Sequence, residues 1–234
     1  MTKADFQDKI EYNFNDIDLL NVALTHSSFA RENKNKDAKY NERLEFLGDA
    51  FLDAIVGSVI FNKMKNYTEG DLTKTRAKIV CEQSLAEIGR RIEVGKYLRL
   101  GRGEEKAGGR HKESIIADAV EAIIGAIYLD GGYQCAVDFV KKFFDKQISL
   151  AIKGELINDY KTAVQEILQV KGKNVQICYK IDDEVGPAHN KTFYVHLECN
   201  QKLLGKGQGK TKKEAEQNAA KESIMILKGG ANVF

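Results

Sequence analysis

At 234 residues, with 43% hydrophobic and 30% charged residues, the chain is long for one small domain and too apolar to be disordered. Its formal net charge of +2 is close to neutral, so total charge does not announce a polyanion partner. The distribution says more: from Asp159 onward there are 12 Lys+Arg against 9 Asp+Glu, and the basic excess sits in this last third. The four cysteines, Cys81, Cys135, Cys178 and Cys199, contain no CxxC pair, which disfavours zinc and suits reduced core thiols. The first residues mix acids and bases without an apolar leader, and no run approaches the ~18 apolar residues that span a bilayer. The expectation is a cytoplasmic protein with no membrane partner and no small-molecule cofactor.

Residues 5 to about 150 read as helices, because apolar residues recur there at helical spacing and proline is absent. Asp16 to Leu24 is one amphipathic helix with acids in its first turn, where they suit the helix dipole. Glu42 to Phe61 and Glu113 to Leu129 are longer and apolar on nearly every face, as expected at the centre of a bundle. Asp71 to Ile92 interleaves leucine and isoleucine with Lys74, Arg76, Lys78, Arg90 and Arg91, which predicts one wet face. Asp130-Gly131-Gly132 offers positive-φ positions that stop a helix, and Phe139 to Ile148 fits a last helix. Lys153-Gly154-Glu155 reads as a linker. Beyond it the pattern changes: a helix over Tyr160 to Val170, then period-2 alternation over Asn174 to Ile181 and Thr192 to Cys199. The turn Gly186-Pro187-Ala188-His189, with the only proline, separates these two strands. Gln201 to Lys206 is a third short strand, and Thr211 to Leu227 a final helix. The expected architecture is multidomain: an all-α part over 1–152 and an α+β part, α-β-β-β-α, over 159–228.

The strongest chemical signal lies in Asn41 to Asp53. At about 100° per residue, Glu42, Glu45, Asp49 and Asp53 fall within roughly 80° of one helix face, while the remainder is largely apolar. A solvated face would mix lysine with glutamate to gain i,i+4 pairs; here only acids occupy the stripe and repel one another. Asp118 and Glu121 repeat the idea, two acids spaced i,i+3 inside an apolar run. Buried carboxylates stay ionised only with compensation. If the two helices face each other, Glu45, Asp49, Asp118 and Glu121 converge and need cations. Arg43 is the one basic residue nearby. A divalent ion is the better candidate, and all-oxygen ligands favour Mg2+ or Mn2+ over zinc. The plainer alternative is that Glu42 or Asp53, taken alone, merely solubilises an exposed helix face.

At these residues the chain resembles bacterial ribonuclease III. Asn41-Glu42-Arg43-Leu44-Glu45-Phe46-Leu47-Gly48-Asp49 is similar to that family's signature, and Leu24-Thr25-His26-Ser27-Ser28 to its upstream motif. Glu69-Gly70-Asp71-Leu72-Thr73 with Arg76-Ala77, then Gly103-Glu104-Glu105 and Gly108-Gly109, then Glu113 to Ala122 follow in the family's order. The likeness spans about residues 5 to 228. It implies a metal-dependent endonuclease domain over 1–152, a homodimer, cleavage of double-stranded RNA to 5′-phosphate and 3′-hydroxyl ends with short 3′ overhangs, and processing of structured precursors such as ribosomal RNA. Glu45, Asp118 and Glu121 would bind the Mg2+, with Mn2+ as a possible substitute. Asp49, acting with Glu121 in catalysis, would help activate water and hold a second ion. Glu42 and Glu69 would support them near the RNA or the partner subunit. Phe46 would protrude towards that subunit. Read without the resemblance, Phe46 suits an ordinary core, His26 a structural hydrogen bond, His111 a loop and Cys81 simple packing. Metal-assisted hydrolysis needs no nucleophilic triad, so no histidine has to serve as a base.

Gly205 to Lys213 holds four lysines and no acid. Read as a loop, its glycines let the backbone approach a phosphate, and its end is a helix N-terminus, which favours anions. The unit it belongs to resembles a double-stranded-RNA-binding domain. By that likeness Thr162, Gln165 and Glu166 contact one minor groove, Pro187, Ala188 and His189 the next, and Lys210, Lys212 and Lys213 the phosphates between. Such a domain reads A-form shape more than sequence. Two other function classes compete with the nuclease: a non-cleaving RNA-binding protein that keeps the fold as a scaffold, and a metal-dependent hydrolase of small phosphate esters. The intact acids weigh against the first, the C-terminal unit against the second.

Overall fold

A computed structural model describes residues 2–32, 39–171, 175–187 and 191–228. The chain forms two compact units, Met1–Leu156 and Ile157–Phe234.

The first unit is helical. Its elements are α1 (Lys3–Ile10), α2 (Ile17–Ala23), α3 (Ser27–Glu32), α4 (Glu42–Lys63), α5 (Glu69–Val80), α6 (Glu82–Arg91), α7 (Arg102–Lys106) and α8 (Glu113–Ile152). The core runs along α8, whose Ile116, Val120, Ile123, Ile124, Ile127 and Phe144 are all but inaccessible. Around it pack Leu52 and Ile55 of α4, Ile79 of α5, and Leu85 and Ile88 of α6. The Gly131-Gly132 stop is present: Gly132, at φ 82° and ψ −177°, is not helical and divides α8 into two helical segments at a kink. Asp130, just before it, accepts hydrogen bonds from the Tyr12 hydroxyl (2.7 Å) and from the Asn15 and Asp16 amides (3.0 and 2.7 Å), so the kink also anchors the start of α2.

The stretch Asp71 to Ile92 is two helices, not one. Cys81 adopts extended backbone, φ −72° and ψ 156°, and both ends α5 and precedes Glu82. Thr68 and Asp71 exchange hydrogen bonds as a capping box at the start of α5 (3.2 and 3.1 Å), which gives Asp71 a structural task. The cysteines are less uniform than core thiols: Cys199 is buried, Cys81 and Cys135 are half-buried and Cys178 is exposed.

The second unit is α9 (Tyr160–Lys171), β1 (Ile177–Val185), β2 (Thr192–Cys199), β3 (Lys202–Gly209) and α10 (Lys212–Lys228). The strands form an antiparallel sheet in the order β1-β2-β3. Val195, Leu197 and Cys199 of β2 point to the helices, joined by Val164 and Leu168 of α9 and Ala215, Ala219 and Ile224 of α10. β1 begins later than the alternation suggested and extends to Val185, past a register shift between Ile181 and Asp183. Its far end is exposed, so side-chain pattern carries no signal there.

β3 likewise runs past Lys206 to Gly209, and this corrects the reading of Gly205 to Lys213 as a loop. Gly205, Gly207 and Gly209 are alternate strand residues facing α10. A β-carbon on Gly207 would lie 2.2 Å from the Ala219 nitrogen, and one on Gly205 2.4 Å from the Ser223 hydroxyl. These glycines let a helix rest on a strand, so their lack of a side chain serves packing instead of phosphate approach.

Candidate active site and nucleic-acid interface

The two acid-bearing helices do face each other, and glycine sets their separation. Gly48 of α4 meets the α8 backbone, and a β-carbon on Gly125 of α8 would lie 2.3 Å from the Leu44 carbonyl oxygen. Phe51 of α4 stacks on Tyr128 of α8 further along the crossing, with ring centroids 3.7 Å apart. At this contact Glu45, Asp118 and Glu121 converge: one carboxylate oxygen from each lies within 4.8 Å of the others. All three are half-buried.

Burial and mutual repulsion both act on these groups. Glu121 is pushed up to about 8, first by desolvation and then by the charges of Asp49, Glu45 and Asp118. Glu45 is raised by desolvation and by Asp118, Glu42 and Asp49. Asp118 is raised by desolvation and by Glu82, while His26 opposes the shift. Without a cation the site therefore tends to hold protons. An ion of charge +2 held by these residues would replace them, and the three-oxygen donor set fits a hard divalent cation.

The structure brings together three of the acids picked out in the sequence and leaves the others outside that cluster. Asp49 is exposed, one turn beyond Glu45 on the same helix, and acts on both Glu45 and Glu121. Glu42 is exposed and acts on Glu45 and Asp118. Glu69 is exposed at the first position of α5, where it accepts the Thr73 hydroxyl at 3.1 Å. Asp53, in the same stripe, pairs with Arg76 at 3.6 Å. Phe46 is 79% exposed and is no core residue.

Two residues act on Asp118 that the sequence did not connect with it. Glu82 opens α6 and is the foremost charge raising Asp118; an acid in the first turn of a helix carries no signal of its own in sequence. His26 has the structural hydrogen bonds expected of it: its Nδ1 meets the Ser28 hydroxyl at 2.8 Å and accepts the Ser28 amide at 3.2 Å. The Ser28 hydroxyl in turn accepts the Gly101 amide at 2.9 Å. His26 is nonetheless within electrostatic reach of the acids. The upstream motif also supports α4 directly, since the Asn41 amide donates to the Thr25 carbonyl at 2.9 Å. His111 lies exposed in a short 3-10 turn, Gly109–His111.

In the second unit Thr162, Gln165 and Glu166 share the exposed face of α9. Thr162, Gln165 and Lys213 line one cavity with Tyr179 and Gln217, so the first turns of α9 and α10 border the same recess. Lys212 is not free: its ammonium pairs with Glu184 of β1 at 3.2 Å. The Lys210 ammonium reaches the Thr192 hydroxyl at 3.1 Å, and its amide donates to Glu214 at 2.7 Å. Pro187 is exposed after Gly186, whereas Ala188 and His189 lie outside the described residues.

Comparison with known proteins agrees with both halves of this description. Residues 16–148 match the Ribonuclease-III-like family, and residues 160–227 match the double-stranded RNA binding motif. Ribonuclease 3 of Clostridium botulinum is 48% identical over 223 residues, 95% of each chain. Ribonuclease 3 of Caldanaerobacter subterraneus is 47% identical over 221 residues, 94% of this chain and 96% of its own. The nuclease domain of ribonuclease III from Campylobacter jejuni, described for flexibility in a region involved in dimer formation, superposes with a TM-score of 0.58 at 42% identity. It covers 62% of this chain and 98% of its own. No described helix is long and apolar enough to cross a membrane. The chain belongs to the ribonuclease III family of endonucleases that cut double-stranded RNA.

Proposed function

We propose that residues 1–152 cut both strands of duplex RNA as a homodimer, each subunit one strand, and that residues 159–228 hold the duplex. The observation that supports this reading best is the meeting of Glu45, Asp118 and Glu121 at the α4–α8 crossing. These three would hold Mg2+, with Mn2+ as a substitute. A divalent ion bound there would make water nucleophilic near neutral pH and offset charge on the phosphate. Asp49 stands exposed beside the ligands, able to orient the attacking water and to help hold a second ion. The water oxygen bonds to phosphorus, the bond to the 3′ oxygen breaks, and that oxygen leaves with a proton. The products are a 5′-phosphate, a 3′-hydroxyl and, from two offset cuts, short 3′ overhangs. Glu42 and Glu69 would act in support, near the RNA or the partner subunit.

In the second unit Thr162, Gln165 and Glu166 would enter a minor groove. Lys210, Lys212 and Lys213 would span phosphates, and Pro187, Ala188 and His189 would reach the next minor groove. The exposed face of α9 and the recess it shares with Lys213 support this assignment. Exposure of Phe46 and Phe61 on α4, 79% and 68%, supports a second copy as partner. Phe46→Asp is expected to sediment as a monomer, and a persistent dimer would argue against that face. The substrates are structured precursors such as ribosomal RNA, and the compartment is the cytoplasm, where thiols stay reduced.

The deciding experiment incubates a long RNA duplex with the wild-type chain and with Glu121→Gln. Cleavage in Mg2+ should occur only with the wild type and stop with EDTA. Binding in Ca2+ should survive in both, and single-stranded RNA and duplex DNA should stay intact. Full cleavage by Glu121→Gln would remove the site assignment.

A further inference from the structure

We propose that Gln217 is a positioning residue for duplex RNA: it sets the first turn of α9 at a fixed spacing from the lysines that open α10. The inference rests on the reading that these two elements contact RNA. The Gln217 side chain uses both ends of its amide. Its oxygen accepts the Tyr160 amide at 2.8 Å, and its nitrogen donates to an Asp159 carboxylate oxygen at 2.9 Å. Asp159 then accepts the Thr162 amide at 3.2 Å and the Thr162 hydroxyl at 2.7 Å. One α10 side chain is thereby linked through one carboxylate to a residue of the RNA-facing turn of α9. Gln217 sits one turn after Lys213, and both border the recess that also holds Thr162 and Gln165. The Gln217 bond is also the foremost influence holding Asp159 below the usual carboxylate range.

Packing alone does not provide this register. Val164 and Leu168 of α9 and Ala220 and Ile224 of α10 hold the two helices together through the core. That apolar contact is non-directional, whereas the two hydrogen bonds fix where the first turn stands. Spacing matters because phosphates are common to every nucleic acid, while 2′-hydroxyls in a shallow minor groove belong to A-form RNA. Lysines and α9 must reach their targets together for RNA to be told from DNA.

The test uses the full chain with Ca2+ in place of Mg2+, and compares affinity for an RNA duplex and a DNA duplex of one sequence. Gln217→Leu should weaken RNA binding roughly tenfold, the scale of about 1.4 kcal/mol, with DNA affinity and salt slope unchanged. Asp159→Asn combined with Gln217→Glu reverses the polarity of the bond between them, at the expense of the Thr162 amide bond to the same atom, and should restore part of the RNA preference. An unchanged RNA-to-DNA ratio in Gln217→Leu overturns the proposal. Where Gln217→Leu also lowers the melting temperature, the double variant decides: recovered melting without recovered preference overturns it too. Lys213→Ala and Gln165→Ala run alongside. If these two leave RNA binding intact, the reading of the RNA face has failed; if they weaken it and Gln217→Leu does not, only the role of Gln217 has.

Discussion

The carbonyl oxygen of Glu121 lies 1.8 Å from the point where a β-carbon on Gly48 would sit. No side chain fits there, so the hydrogen of glycine lets α4 lie directly on the backbone of α8, beside the acids both helices carry. Gly48→Ala should force the helices apart by roughly an ångström and cost about 1–3 kcal/mol of stability. Displacement of that size typically lowers rates by about 100-fold. Calorimetry and single-turnover cleavage would check both, and a variant with wild-type cleavage would show that the close crossing is dispensable.

Glu121 gives the site a pH signature. Its ordinary value is 4.5 and its folded value about 8 in the metal-free protein. Between these limits the native state holds a proton that the unfolded chain has lost. The contribution of this group to stability therefore falls as pH rises through the window and is gone above about 8. Denaturation in EDTA should show this decline for the wild type and a flatter profile for Glu121→Gln. Metal binding must expel the same proton, so Mn2+ affinity should weaken up to roughly tenfold for each pH unit below 8. Titration calorimetry in buffers of different ionisation enthalpy would count the proton, and zero release at pH 7 would contradict the assignment.

Lys212 and Lys213 should behave differently although they are neighbours. Lys213 borders the recess beside α9, and Lys213→Ala should make the salt dependence of RNA binding shallower by about one unit. Lys212 must first leave Glu184. Glu184→Gln should therefore tighten binding and steepen the salt slope. Equal slopes for wild type and Glu184→Gln, measured from 50 to 200 mM salt, would show that the pair does not compete with RNA.

Gly207→Ala separates two uses of glycine. The added carbon would sit 2.3 Å from the Ala215 carbonyl oxygen. The second unit should lose about 1–3 kcal/mol of stability, seen as an earlier melting transition. RNA binding by the remaining folded molecules should stay near wild type. A normal melting temperature with lost affinity would instead place the glycine against phosphate.

Much was legible in the residues alone, because periodicity and charge are local properties. Acids at i, i+3 or i+4 in apolar runs marked α4 and α8 as the helices of interest, and alternation in Thr192 to Cys199 marked the central strand. Features that depend on a neighbour were not legible. Nothing local brings Glu82 or His26 within electrostatic reach of Asp118, pairs Lys212 with Glu184, or turns the glycines of β3 towards α10. Sequence determined which side chains carry charge and which face of each element is greasy. Only tertiary structure decided which charges meet, since two backbones must first approach closely enough, and here Gly48 and Gly125 permit that approach.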